Sequence, residues 1–155
     1  MLDQRSDEAV YEAHAAELVR YATGLVGPDD APDVVVDAFV RLTASPVWPG
    51  ALDRRALWFR AVTFEARSWR RSSARRRARE GRAARALETY EDPAPVDPEV
   101  VRALGALSTQ QRAVVVLTYW LDLDPARVAG MLGVSEGSVR KQLARSRRKL
   151  ERALR

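Results

Sequence analysis

Residues 129–139 read AGMLGVSEGSV and carry the strongest structural signal in this chain. Ala129 is small, Gly133 follows four positions later and Val139 six positions after that, a spacing that fits two short helices crossing closely around a tight turn. Glycine suits this turn because positive φ costs little without a Cβ. Ser135 comes next and can cap the second helix. The stretch therefore predicts a helix-turn-helix.

The second helix of this motif has two chemically different sides. Val139, Leu143, Leu150 and Leu154 recur at helical spacing. A basic amphipathic helix alone is as often a solvated surface helix, but together with the turn it predicts binding in a DNA major groove. Arginine is well shaped for guanine edges and phosphates. The remaining faces carry Arg140, Lys141, Arg145, Arg148, Lys149 and Arg152.

Charge alternates along the chain. The 155 residues have a formal net charge of +5. Residues 1–53 hold three basic and ten acidic residues, whereas residues 54–85 hold twelve arginines and two glutamates. Residues 86–101 have five acidic and no basic residues, and residues 102–155 have eleven basic and four acidic ones. Two separated basic segments predict two places where a polyanion binds.

Composition excludes several kinds of site. The chain has no cysteine and one histidine, His14, so disulfides, thiolate metal sites and sites with two histidines are excluded. We recognise no nucleophile with a base and no glycine-rich phosphate loop. We therefore expect no enzyme, no catalytic residue, no cofactor, no metal and no small-molecule substrate. No apolar run approaches roughly 20 residues and no signal peptide is recognisable, so we expect a cytoplasmic protein without membrane insertion.

Helical periodicity runs through the chain, and no strand pattern is found. Helices are predicted over residues 7–26, 32–42, 54–79, 97–107, 108–121, 125–132 and from 136 onward. Prolines among acidic residues mark a flexible linker. The sequence thus predicts an all-α chain of two small helical domains, residues 1–86 and 99–155. An acidic, proline-rich linker of residues 87–98 joins them, and the second is the helix-turn-helix domain.

Residues 54–85 combine aromatic side chains with arginine, a composition typical of single-stranded nucleic acid binding. Bases stack on aromatic rings at roughly 1–3 kcal/mol each, and guanidinium groups follow the backbone. Trp48, in a loop with two prolines, is predicted to be displayed. The alternative is that Trp58, Phe59 and Trp69 lie in the core. For any one of them both interpretations stay open, but we do not expect all of them to be core residues.

The second half of the chain closely resembles a known family. Residues 107–117, LSTQQRAVVVL, resemble the LPxxQR opening of region 4 in the extracytoplasmic-function (ECF) sigma factors of bacterial RNA polymerase, with Ser108 where proline is usual. Residues 129–148 resemble the recognition module of the same family. The order of helical domain, acidic linker and helix-turn-helix extends the resemblance over nearly the full length.

The first half resembles this family less closely. Residues 30–39, DAPDVVVDAF, are similar to its DAEDLVQEVF pattern, and residues 59–71 are similar to its promoter-melting helix. The chain departs from the pattern at Val36, where glutamine is usual, at Phe64, where asparagine is usual, and at Ser68, where aspartate is usual. From the residues alone, the acidic patch at 29–37 is either a favourable helix start or a protein-docking face.

The resemblance implies a factor that joins core RNA polymerase, recognises the −35 and −10 promoter elements and initiates DNA melting. It implies docking on the β′ clamp helices and the β flap, and most members of the family have an anti-sigma partner. The core-binding residues would be Asp33, Val36 and Asp37. The −35 contacts would be Ser138, Arg140, Lys141, Arg145 and Arg148. The −10 contacts would be Trp48, Arg54, Arg55, Trp58, Phe64, Arg67, Trp69, Arg70 and Arg71.

Two alternatives compete with this interpretation. A stand-alone helix-turn-helix regulator would bind a palindromic operator as a dimer without polymerase, with half-sites about one helical turn apart. An interaction protein would dock a partner through its acidic first half and bind RNA loosely through the arginines, without sequence preference.

Overall fold

The computed structural model describes residues 4–79 and 97–155. Within these two ranges the chain forms seven helices and no strands, so the predicted all-α fold is confirmed. Each predicted helix is present, with its ends displaced by a few residues at most. The helices are α1 (Gln4–Val26), α2 (Ala31–Thr43), α3 (Arg54–Arg79), α4 (Pro98–Leu104), α5 (Thr109–Tyr119), α6 (Pro125–Leu132) and α7 (Glu136–Ala153).

The two described ranges are called the first segment (residues 4–79) and the second segment (residues 97–155). Side-chain caps fix the starts of the helices in the second segment. Ser108 Oγ accepts a hydrogen bond from the Gln111 amide at 3.2 Å, and Gln111 Oε1 accepts one from the Ser108 amide at 3.2 Å. This reciprocal pair is a capping box. Asp97 and Asp124 cap α4 and α6 through their carboxylates, and each is followed by a proline that is preorganised for the first turn.

Helices α1, α2 and α3 pack around an aromatic centre. The ring of Phe39 lies 4.7 Å from that of Trp58, 5.2 Å from that of Tyr11 and 5.8 Å from that of Trp48, measured between centroids. Tilted and edge-on pairs at these separations are favourable beyond the area they bury. The side of α3 that faces α1 and α2 therefore forms part of the hydrophobic core.

Trp48 lies inside the fold, so the prediction of a displayed loop residue is wrong. Its side chain is 1% exposed, and its indole Nε1 donates to Asp7 Oδ1 at 2.7 Å. Trp58 is fully buried and donates to the Val35 carbonyl at 3.3 Å. Burying an aromatic side chain removes about 150–250 Å² from water, and here each indole N–H also keeps an acceptor. Neither tryptophan is available to stack on DNA bases in this conformation.

The two described segments pack against each other. Leu25 of α1 and Val62 of α3 belong to the same buried apolar cluster as Val116 of α5 and Met131 of α6. The predicted linker, residues 87–98, lies almost wholly outside the described residues, and the domain boundaries stay a prediction. The two segments share one hydrophobic core. The side of α3 that is predicted to bind DNA therefore lies beside the second segment.

Candidate nucleic-acid interface

The turn between α6 and α7 has the backbone conformation that its sequence predicts. Gly133 has φ +68°, in the left-handed region that favours glycine. The Val134 amide donates to the Ala129 carbonyl at 3.1 Å, and Ser135 Oγ accepts from the Ser138 amide at 3.1 Å. These contacts end α6 and start α7 within three residues, so the angle between the two helices is fixed locally.

Helix α7 concentrates basic side chains on one side. At about 100° per residue, Ser138, Lys141, Arg145 and Arg148 fall within an arc of roughly 80°. The three basic residues are exposed and Ser138 is half-buried, whereas Val139 on the far side is fully buried. One side of the helix is thus anchored in the protein and the other offers cations to solvent.

Other polar residues of α7 contact neighbouring side chains. Arg140, outside the basic arc, lies 3.5 Å from Glu136 one turn earlier. Both are largely exposed, and such pairs contribute little, so Arg140 can exchange this partner for a phosphate at small cost. Arg147 instead donates to the hydroxyl of Tyr119 at 2.6 Å. The Arg147 contact connects α7 to the end of α5.

Helix α3 has one open face that combines an aromatic ring with positive charge. Phe64 is 56% exposed, and Ser68 and Arg71, also exposed, lie on the same side, away from the core. The Arg41 guanidinium of α2 lies 5.9 Å from the centre of the Phe64 ring and pairs with Glu65 at 2.9 Å. An exposed ring beside guanidinium groups suits a stacked base.

The first two arginines of α3 hold α1 in place. Arg55 makes two hydrogen bonds to the Glu17 carboxylate, which raise the pKa of Arg55. Arg54 donates to Ser6 Oγ at 2.7 Å and lies 5.2 Å from the ring of Trp48. Both side chains face α1. The structure thus gives them a packing role, and their contact with the −10 element stays a prediction.

The middle arginines of α3 contact the start of α5. Arg67 donates to the Gln110 side chain, and Arg70 Nη1 donates to Thr109 Oγ1 at 3.0 Å. Burial lowers the pKa of Arg70. Trp69, between them in sequence, is half-buried and packs against the core. All three are predicted −10 contacts, and in this conformation they face or approach protein.

Arg60 and Arg112 lie within the family-like stretches, but the sequence assigns them no role, and both connect the two segments. Arg60 Nη2 donates to the Gly130 carbonyl at 2.6 Å, and Arg112 Nη1 donates to the Leu25 carbonyl at 2.6 Å. Burial, and then the charge of nearby Arg70, lowers the pKa of Arg112 to about 10. The acceptors are main-chain carbonyls 70 and 87 residues away in sequence, which no local pattern reveals.

Helix α2 has an exposed face of carboxylates and valines. Asp33, Val36, Asp37 and Val40 fall within an arc of roughly 100°, opposite the buried residues of the helix. Val36 is 41% and Val40 62% exposed. Asp33 lies in the first turn, where its charge also favours the helix dipole. The two interpretations that the sequence leaves open therefore both fit this face.

Metal and membrane sites are absent from the part of the chain that the structure describes. No group of histidine and acidic residues there has the arrangement to hold a metal ion. None of the described helices combines the length and apolar character needed to cross a membrane. Within residues 4–79 and 97–155, the basic arc of α7, the open face of α3 and the acidic face of α2 are exposed surfaces of distinct charge.

Comparison with known proteins finds a sequence family that matches the second segment and relatives that align with most of the chain. Residues 98–150 match the sequence family described as Sigma-70, region 4. The ECF RNA polymerase sigma factor SigL of Mycobacterium tuberculosis is 32% identical over 146 residues, covering 87% of this chain and 81% of SigL. The RNA polymerase sigma-E factor of Streptomyces antibioticus is 29% identical over 156 residues, covering 95% of this chain and 83% of that protein.

Two solved structures share the fold. CnrH, in complex with the cytosolic domain of CnrY, is 27% identical with a TM-score of 0.67, over 98% of this chain and 89% of CnrH. The sigma factor RpoE of Bartonella quintana, in complex with the anti-sigma factor NepR, is 20% identical with a TM-score of 0.67, over 95% of each chain. With the identity and coverage of the mycobacterial relative, these findings show that the chain belongs to the ECF sigma factors and acts as an RNA polymerase sigma factor.

Proposed function

We propose that this sigma factor recognises the −35 element through the basic arc of α7, docks on core polymerase through α2 and contacts the −10 element through the open face of α3. The observation that carries the proposal is the one-sided basic surface of α7 behind a turn fixed by Gly133 and Ser135. A helix placed this way enters the major groove with its first turns toward the bases.

Within the basic arc the side chains divide by position. Ser138 and Lys141 lie in the first two turns of α7, where this motif reads base edges. Arg145 and Arg148 lie further along and reach bases or phosphates, depending on the depth of the helix in the groove. Specificity therefore comes from the first half of the arc and affinity from its whole length.

For the −10 element we propose Phe64 and Arg71 as the first contacts. A base splayed out of the duplex can stack on the exposed ring of Phe64, worth roughly 1–3 kcal/mol, while Arg71 binds backbone phosphate. Arg67 and Arg70 join them once the second segment moves away from α3. Trp48 and Trp58 are left out because both are buried.

For core polymerase we propose the exposed face of α2. Asp33 and Asp37 flank Val36, so a basic partner surface would pair with the carboxylates while the valine packs against its apolar part. The family resemblance points to the β′ clamp helices as that surface, with the β flap contacting the second segment.

Transcription with purified components tests this proposal. Core polymerase, this chain and a panel of genomic fragments are combined, and transcript starts are mapped. We expect defined starts only when the chain is present. Tight operator binding without any starts would instead support a stand-alone regulator, which the comparisons do not favour.

Charge reversal separates core docking from DNA binding. Asp37→Arg should reduce binding to core polymerase at least tenfold and leave binding to a −35 duplex unchanged, because repulsion replaces attraction on α2 only. The matched control is Glu12→Arg, the same change at an exposed position of α1 outside the proposed surfaces. Equal effects of the two variants would argue against the α2 surface.

We further propose an anti-sigma partner. Both solved relatives were captured with a protein partner, and in one of them that partner is an anti-sigma factor. A protein that copurifies with the chain from its native cells should abolish the defined transcript starts when added back in purified form. A copurifying protein that leaves every start intact would contradict this part of the proposal.

A further inference from the structure

Helix α7 is attached to the rest of the protein along one narrow side. Val139 and Ser146 are its buried residues, and at about 100° per residue they lie within roughly 20° of each other around the helix axis. The line opposite to them is the part of α7 that projects farthest from the protein. Gly137 is exposed and lies on that line, roughly 160° from Val139 and roughly 180° from Ser146.

The basic residues of α7 that are proposed to bind DNA surround this glycine. Lys141 and Arg148 lie within roughly 40° of Gly137 around the helix axis, and Arg140 and Arg145 lie within roughly 80° on either side of it. All four basic side chains are exposed. Gly137 is therefore at the centre of the surface that α7 turns toward DNA, and it lies in the first turn, where this motif enters the major groove.

The fold itself does not require a glycine at position 137. Among the described residues, Gly27 and Gly133 are the glycines with positive φ, so the backbone of Gly137 is one that any L residue adopts. A Cβ added to Gly137 would have Ser135 Oγ, at 4.0 Å, as its nearest neighbour outside the local helix backbone, which is an ordinary contact. Glycine is also among the least favourable residues in a helix. Neither conformation nor internal packing therefore accounts for it.

We propose that Gly137 is a specificity-determining residue of −35 recognition, because the absence of a side chain lets the backbone of α7 approach the base edges. The inference rests on the proposed function and names a contact within it. Glycine is the residue that permits close approach of a main chain to a ligand. The major groove is about 12 Å wide and a helix with its side chains is about 10–12 Å across, so side-chain size on the projecting line decides how deep α7 enters.

The depth of α7 in the groove determines what the neighbouring side chains reach. Lys141, one turn after Gly137 on the same side, reaches base edges only when the first turn lies deep in the groove. Arg140, to one side of this line, stays within reach of phosphates at either depth. A side chain at position 137 would hold the first turn away from the bases and leave the phosphate contacts in place. Discrimination between sequences should therefore fall more than overall affinity.

Substitutions of graded size at position 137 test this contact. Polymerase holoenzyme is assembled with the parent, Gly137→Ala or Gly137→Leu chain. Each is titrated with a labelled promoter duplex from a mapped transcript start, and with the same duplex carrying a scrambled −35 element. We expect affinity for the promoter duplex to fall about fivefold with alanine and at least about twentyfold with leucine. Affinity for the scrambled duplex should change less than about twofold, because phosphate contacts carry it.

Matched variants separate this effect from a folding defect. Gly130→Ala and Gly130→Leu make the same changes at an exposed glycine of α6, where a Cβ would meet nothing within the protein. We expect both to keep the parent's discrimination between the two duplexes. Gly137→Ala should melt at the parent temperature or up to about 4 °C above it, because alanine is the better helix former.

Three results would overturn the proposal. The first is unchanged discrimination in Gly137→Leu, and the second is an equal loss of affinity for both duplexes. The third is a lower melting temperature of Gly137→Ala, which would show that the glycine serves the fold. Failure of the proposed function would look different, because holoenzyme with the parent chain would then bind the promoter duplex and the scrambled duplex equally.

Discussion

The arginine-rich helices α3 and α7 differ in what their guanidinium groups contact. In α3, Arg55 binds a carboxylate of α1, while Arg60 and Arg70 bind main-chain carbonyls of the second segment. In α7, Arg145 and Arg148 are exposed and lie on the side of the helix opposite its buried residues. A similar composition thus supplies packing contacts in α3 and an exposed basic surface on α7.

Removing an aromatic residue from α3 should produce the largest effect. Trp58→Ala is expected to lower the free energy of unfolding by about 3–5 kcal/mol, since it empties a fully buried site beside Phe39. Urea denaturation followed by circular dichroism measures the loss. Phe64→Ala on the exposed side of the same helix should cost less than about 1 kcal/mol. Similar losses in the two variants would contradict the assignment of an inner and an outer side to α3.

Removing an exposed arginine from α7 should weaken DNA binding and leave the free energy of unfolding unchanged. Arg145→Ala is expected to weaken binding to a −35 duplex by about 1–3 kcal/mol if the guanidinium contacts a base, with unfolding unchanged. Fluorescence anisotropy across promoter variants measures this, and Arg20→Ala, at an exposed position of α1, is the control. A uniform loss across all sequences would make Arg145 a phosphate contact, and no loss would remove it from the interface.

Local chemistry is the part of this molecule that the sequence predicts best. The turn at Gly133 and the cap at Ser135 depend on residues within a few positions of one another, and both are present as predicted. The same holds for the helix ends. Local backbone preferences and hydrogen bonds fix these features, so a short window of sequence contains the information needed.

The aromatic residues of α3 show where composition misleads. Trp58, Phe59, Val62 and Ala66 recur at helical spacing and form a single buried side. That spacing predicts a core stripe, but the surrounding arginines favoured a nucleic-acid surface. Spacing was the better guide because it reflects which side chains can reach the core together. Trp48 had no such pattern, and its burial depends on a distant acceptor, Asp7.

The contacts between segments could not be predicted from the sequence. Arg60 and Arg112 donate to carbonyls, which every residue has, so the identity of the acceptor residue carries no signal. Gly24 lies within α1 and permits the approach of Val116, a role that no local pattern in α1 reveals. Such features depend on how helices distant in sequence meet, and only the assembled fold shows them.

Loss of the α7 cap should have a smaller effect than either substitution above. Ser135→Ala is expected to lower the free energy of unfolding by about 1 kcal/mol, because the Ser138 amide loses its acceptor at the first turn. Thermal and urea denaturation measure it. Ser68→Ala, at an exposed position within α3, should cause no loss, since serine in a helix interior is no better than alanine. If Ser135→Ala had the same free energy of unfolding as the parent chain, packing alone would be what orients α7.

The smallest expected effect concerns the buried hydroxyl pair between α1 and α3. Thr63 Oγ1 donates to the Phe59 carbonyl at 2.8 Å, so the Tyr21 hydroxyl, 2.6 Å away, donates to Thr63. Burial raises the pKa of Tyr21, which keeps the donor protonated at neutral and moderately alkaline pH. Tyr21→Phe should therefore cost about 0.5–1 kcal/mol of unfolding free energy and leave −35 binding unchanged. Tyr119→Phe, at a half-exposed ring, should cost less, and the reverse order would show that the polar contacts of α3 do not stabilise its inner side.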